Sequence, residues 1–153
     1  MEFERNVVVN APIEKVWARV VSPDGINDEM RPWLTMSFPR DAGATTTIED
    51  VPLGEQLGRV WLRLFGVVPF DYDHLMIAEL EPGARFREES TMLSMKRWAH
   101  ERILTSLPDG RSEVRDRIAF EPRVLLRPAS FVLARLLPAL FEHRHRKLQR
   151  YFG

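Results

Sequence analysis

Residues 97–121 read Arg97-Trp98-Ala99-His100-Glu101-Arg102-Ile103-Leu104-Thr105-Ser106-Leu107-Pro108-Asp109-Gly110-Arg111-Ser112-Glu113-Val114-Arg115-Asp116-Arg117-Ile118-Ala119-Phe120-Glu121. Trp98, Leu104, Val114, Ile118 and Phe120 stand on even positions. Arg97, Glu101, Arg115 and Arg117 stand on odd ones. A period of two means extended chain with one covered face and one wet face. Pro108-Asp109-Gly110 is a turn signal between two such runs. Folding the chain there pairs Leu104 with Val114, Arg102 with Asp116, His100 with Ile118 and Trp98 with Phe120. On the wet face the same register sets Glu101 against Arg117, an opposite-charge pair that strands favour.

The alternation extends N-terminally. Strands are expected near 59–65, 69–80, 85–92, 97–107 and 111–121. Turn signals lie at Gly66, Glu81-Pro82-Gly83 and Ser94-Met95. Connections this short join antiparallel neighbours. With even positions inward throughout, the covered face carries Leu62, Tyr72, His74, Met76, Phe86, Glu88, Ser90 and Met92. Trp61, Phe65, Leu75 and Ile77 break the charged face, as a bulge or a contact patch would. A loop at 66–68 places Arg63 opposite Asp71. A loop near 94–96 places Glu88 beside Arg102 and Ser90 beside His100, though it also faces Glu89 with Glu101. Asp71 and Asp73 share the solvated face in this reading, with Arg63 as the natural partner.

On the N-terminal side, Phe3–Val9 reads as a first strand. Asn10-Ala11-Pro12 starts a helix, since proline suits the first turn. Ile13, Val16, Trp17, Val20 and Val21 share one helical face. Ser22-Pro23-Asp24-Gly25 ends it, and a second short helix covers Ile26–Met30. Residues 39–58 read as a loop around one short strand near Thr45–Ile48. Downstream of the strands, an apolar stripe at helical spacing runs from Pro128 to Phe152. A helix of about 25 residues spans roughly 37 Å, enough to cross such a sheet. Pro138 removes one of its backbone donors and is expected to kink it.

The chain has 153 residues, 22 Lys+Arg, 22 Asp+Glu and no cysteine. That length favours a single domain over 1–153 that needs no disulfide or metal staple. Neutrality argues against a nucleic-acid partner. The neutrality hides a gradient, with net −5 over residues 1–55 and +6 over residues 123–153. The basic end suits its own helix dipole, or a contact with an anionic membrane or acidic partner. The acidic start lacks a signal-peptide pattern, and Phe131–Phe141 is shorter than the ~20 residues of a membrane span. No transmembrane segment and a cytoplasmic location are therefore expected. No GxGxxG, P-loop, HExxH or nucleophile-elbow pattern occurs, so no cofactor and no metal are expected. His143 and His145 lie about 200° apart on a helix, a poor spacing for sharing a metal.

Several short stretches carry a family resemblance. They are Asn10-Ala11-Pro12-Ile13-Glu14-Lys15-Val16-Trp17, Met30-Arg31-Pro32-Trp33, and Leu62-Arg63-Leu64-Phe65-Gly66-Val67-Val68-Pro69. Trp98-x-His100-x-Arg102, Asp116-Arg117-Ile118-x-Phe120 and the basic ending Phe141–Phe152 complete the set. In this order the chain resembles the START-like (SRPBCC) superfamily, in its polyketide cyclase/dehydrase-like branch. The resemblance implies an α+β helix-grip fold. A curved antiparallel sheet wraps around a long C-terminal helix, with two short helices after the first strand. It also implies an apolar cavity between sheet and helix.

The cavity walls expected on this basis are Leu62, Tyr72, Met76, Met92, Trp98, Ile118, Leu133 and Leu137. Glu88, His100, Arg102 and Asp116 would set its polarity and orientation, with His74 a further lining residue on the same face. The plainer alternative is a buried ladder, Glu88–Arg102–Asp116, in a solid core. Binding of a small hydrophobic molecule, a lipid or polyketide-like aromatic, is the leading expectation. A cyclase or dehydratase using His100 as acid/base, oriented by Asp116, is the second. An interaction module using Trp61, Phe65 and the basic C-terminal helix is the third.

Overall fold

Alternating apolar and charged residues build most of this molecule. The computed structural model describes residues 1–38 and 47–153, apart from the Leu57 side chain. Strand β1 (Glu2–Val9) leads into helices α1 (Ile13–Val20) and α2 (Pro23–Met30), then strand β2 (Leu34–Ser37). Strands β3 (Gln56–Leu64), β4 (Val68–Glu81), β5 (Arg85–Met92), β6 (Met95–Ser106) and β7 (Ser112–Pro122) follow. A short 3-10 turn, Val124–Ala129, enters helix α3 (Ser130–Tyr151). The seven strands form one sheet in the order β1-β7-β6-β5-β4-β3-β2, every pair antiparallel. The sheet curls around α3 as a half-barrel, the α+β helix-grip arrangement. The five long strands stand where the alternation places them.

Helix α1 ends at Val20, just before Ser22 as expected, and Ser22 also caps the next helix. Its hydroxyl accepts from the Gly25 amide at 3.0 Å, so α2 begins at Pro23. This is the usual N-cap role of serine followed by proline in the first turn. The expected strand near Thr45–Ile48 falls partly on residues outside the described ones, and Ile48 itself lies in a 3-10 turn. Strand β2 was not foreseen; its four residues pair with Trp61–Leu64 at the sheet edge. Helix α3 continues through Pro138 as one helix.

The β6–β7 register agrees with the expectation residue by residue, from Trp98↔Phe120 to Leu104↔Val114. The β5–β6 register is displaced by two. Glu88 pairs with His100, Ser90 with Trp98 and Phe86 with Arg102. That slip sets Arg87 opposite Glu101 and Glu89 opposite Ala99, so no like charges face each other.

The larger departure lies in β4. Leu62 pairs with Asp71 while Arg63 pairs with Pro69, leaving Phe70 extra. Ile77 pairs with Glu88 while Glu79 pairs with Arg87, leaving Ala78 extra. Each bulge moves the following residues to the opposite face. Between the two bulges the odd positions point inward, and Asp71, Asp73, Leu75 and Ile77 are buried. Tyr72, His74 and Met76 are thereby turned outward, against the uniform even-inward reading. Arg63 does not face Asp71.

Two apolar clusters fill the concave side. Val16, Trp17, Val20, Ile26, Ile77, Phe86 and Leu148 belong to one, beneath α1, α2 and the C-terminal part of α3. Leu62, Met92, Met95, Ile118, Phe120 and Phe141 form the other, with Trp98, Leu133 and Leu137 packed against it. Buried charges lie where the two meet.

Candidate functional site

Arg102 sits in the middle of β6 and is 0% exposed. Its cross-strand neighbour Asp116 accepts from Nε at 2.7 Å and from Nη2 at 2.8 Å. Its second acid is Glu29 of α2, at 2.8–3.0 Å. Glu29 also accepts from Arg144 Nε of α3 at 3.2 Å. His100 Nε2 stands 2.7 Å from Asp116 Oδ1, and His145 Nε2 stands 2.6 Å from Oδ2. Two carboxylates thus meet two guanidiniums, with two imidazoles at hydrogen-bond distance, so neither acid is left unpaired in low dielectric. Burial alone would raise the Asp116 carboxyl. Arg102 and then His100 outweigh it and hold that carboxyl well below the usual range. Burial would also lower the Arg102 guanidinium, but Asp116 and Glu29 raise it above its ordinary value.

Glu88 takes no part in this network, so the expected Glu88–Arg102–Asp116 ladder does not form. The α2 carboxylate fills that place. Glu88 instead accepts from the Ser90 hydroxyl at 3.0 Å. Asp73 lies beside it, turned inward by the β4 bulges. Burial, then the Glu88 charge, pushes the Asp73 carboxyl well above its usual range. Asp71 is also buried rather than solvated. It accepts from the Tyr72 amide at 2.8 Å and from the Ser94 hydroxyl and amide.

A cavity of about 50 Å³ lies between these polar groups and the first apolar cluster. Its polar lining is Glu88, His100 and Arg144; Val20, Ile26, Leu75, Ile77 and Phe86 supply apolar wall. His100 therefore gives one ring nitrogen to Asp116 and presents the ring to the cavity. A larger groove of about 450 Å³ crosses the outer face. Glu2, Glu4, Arg87, Glu101 and Arg117 line it, which suits solvent better than an apolar ligand. Among the described residues no cluster of His, Cys, Asp and Glu is arranged to hold a metal.

Residues 7–152 match the family described as "Domain of unknown function (DUF8410)". The chain belongs to this DUF8410 family. No curated protein matches the sequence. Solved structures match the fold closely. Protein CV1439 from Chromobacterium violaceum superposes with a TM-score of 0.70 at 15% identity, covering 99% of this chain and 96% of its own. A START superfamily protein from Mycobacterium smegmatis gives 0.69 at 10% identity, covering 99% and 96%. DynU16, a protein of the dynemicin biosynthetic locus, gives 0.59 at 18% identity, covering 98% of this chain and 46% of its own. The fold of this DUF8410 domain is that of the START-like superfamily.

The DUF8410 fold brings together most, but not all, of the residues singled out from sequence. Leu62, Met92, Trp98, Ile118, Leu133 and Leu137 meet in the second apolar cluster. His100, Arg102 and Asp116 share one network, and Glu88 stands beside it as the cross-strand partner of His100. Tyr72, His74 and Met76 leave the inner face. Tyr72 stacks with Trp61 at 5.6 Å, His74 at 5.2 Å and the Arg59 guanidinium at 4.5 Å on the outer face. Glu29 escapes the sequence reading, Asp73 is expected there on the solvated face, and Arg144 and His145 are expected only within the basic C-terminal helix. For Glu29 a signal existed: with Ile26 and Met30 it follows helical spacing, so a charge stands on an apolar face. Arg144 was read as part of a surface basic tail; it is buried.

Proposed function

We propose that the protein binds a small, mostly apolar molecule with one polar group, between the sheet and the helices. The observation that carries this reading is the cavity at which Glu88, His100 and Arg144 converge amid apolar walls. A few polar groups in an apolar enclosure are the usual make-up of a ligand site. At about 50 Å³ the cavity is small. A lipid or polyketide-like aromatic needs roughly 300 Å³ or more. Binding therefore requires the cavity to enlarge, and His100, whose ring meets Phe141 at 5.1 Å, marks the second apolar cluster as the side that opens. Leu133 and Leu137, which close it from α3, are only half-buried. Met92 and Met95 in the same cluster are adaptable packing partners.

Native mass spectrometry of freshly purified protein should reveal a bound small molecule. Fatty acids and polycyclic aromatics should also be screened by thermal unfolding. A true ligand at a hundredfold excess over Kd should raise Tm by about 5–10 °C. No adduct and no shift with any class would sink the reading.

The 2.7 Å contact between His100 and Asp116 favours a second reading, proton transfer to a bound polyketide-like molecule. If the bound molecule is converted on incubation, His100→Ala should stop conversion while binding persists. Conversion at an unchanged rate would remove His100 from any chemistry.

A further inference from the structure

Antiparallel topology gathers certain segments at one end of this sheet: the β3–β4 tip, the β5–β6 turn, the start of β2 and the passage from β7 into α3. That end is unusually apolar. Among the described residues sixteen large hydrophobic side chains are exposed. All but Leu53, Trp61 and Tyr151 lie at this end or on the first two turns of α3. Val67 is 73% exposed, Leu125 93% and Phe131 66%. Trp33 stands beside Phe65 with ring centroids 6.1 Å apart, so the β2 entry and the β3–β4 tip present one surface. Exposed apolar residues on an ordinary surface are scattered singly; a contiguous patch of this kind marks a contact.

Two of the chain segments that build the patch carry only basic charge. Residues 122–141 contain Arg123, Arg127 and Arg135 and no acid. Residues 61–70 contain Arg63 and no acid. Glu121, the last acid of β7, is taken by Lys96 at 3.7 Å. We infer that this end of the molecule docks on an anionic lipid bilayer, with its apolar side chains in the acyl boundary and its arginines among the phosphates. Amphipathic surfaces with arginine at the rim bind membranes in this way. A second copy fits less well, because a two-fold contact would bring two arginine-bearing helix starts onto one interface, and residues 122–141 carry no acid to pair with them.

The helix lies on the membrane and does not cross it. Val124–Tyr151 is long and apolar enough to span by length and composition, unlike the shorter run considered from sequence. Its C-terminal half is nevertheless fixed to Glu29 and Asp116 through Arg144 and His145. The docking surface is also not the basic C-terminus expected from sequence. Arg144 is buried, and Lys147 pairs with Asp28 at 3.6 Å, far along α3 from the patch.

Vesicle co-sedimentation of the whole chain tests this without reference to any ligand. The probes are phosphatidylcholine vesicles with and without phosphatidylserine. Wild-type protein should bind the anionic vesicles. Arg127→Glu with Arg135→Glu, and separately Leu125→Ser with Phe131→Ser, should each weaken binding about tenfold or more. These positions are exposed, so Tm should stay within a few degrees and report an intact fold. No binding to anionic vesicles, or equal loss when Arg146 and Arg150 are changed instead, would overturn the inference. So would a dimer that Leu125→Ser dissolves in the absence of vesicle binding, which would assign the face to a second copy.

Discussion

Asp73 Oδ1 is the buried side-chain polar atom left without a hydrogen-bond partner among the described residues. Its neighbour Glu88 is a second carboxylate, so a proton held between the two relieves both the repulsion and the missing bond. The raised Asp73 value means that the folded state keeps this proton where the unfolded chain has already lost it. The sign is therefore unfavourable at high pH: stability falls as pH rises from the usual carboxylate range through the raised value. Asp73→Asn keeps the shape and replaces the shared proton by a permanent donor. It should be more stable than wild type by about 1 kcal/mol at pH 8 and nearly equal at pH 5, read by urea unfolding. A variant that loses ground as pH rises would show that the two carboxyls do not share a proton.

At the scale of elements, β4 decides which chemistry faces inward. Its alternation contains two apolar residues on the supposedly charged side, Leu75 and Ile77. The Phe70 bulge brings both under α1 and α2, and the Ala78 bulge returns the strand to its earlier parity. Two extra residues thus exchange Tyr72, His74 and Met76 for Asp73, Leu75 and Ile77 on the inner face. Ile77→Ala should therefore cost roughly 2–5 kcal/mol, seen as a lower urea midpoint, while Met76→Ala on the outer side should cost clearly less. Equal losses at the two positions would mean that the bulges do not set the inward face. Helix α3 shows a similar division along its length. Phe141, Arg144, His145 and Leu148 are buried, whereas its first turns are half-exposed.

Across the whole molecule, Asp116 connects β7 to β6 and α3, and Arg102 carries the connection on to Glu29 of α2. Folding cooperativity should therefore depend on charges that reside in four separate elements. Because Asp116 is held well below its usual value, its contribution is complete above about pH 4 and is lost as pH falls through the folded value. Asp116→Asn should cost about 3–5 kcal/mol at pH 7, since Arg102 keeps its charge and loses half its partners. The variant should also lose stability less steeply than wild type on acidification. Parallel acid curves for the two proteins would show that Asp116 does not govern this behaviour.

The sequence by itself determined the β6–β7 ladder, the helical stripe of α3 and the pairing of Arg102 with Asp116. All three follow from local periodicity and a short turn, where neighbours in the chain are neighbours in space. Tertiary structure alone decided which acid completes Arg102, because Glu29 stands 73 residues away and arrives only when α2 packs on the sheet. It also decided the inward face of β4, because a bulge changes parity without altering composition. Finally, it decided that the exposed apolar residues gather at one end. No segment of sequence holds them together; antiparallel folding brings their separate turns to the same side.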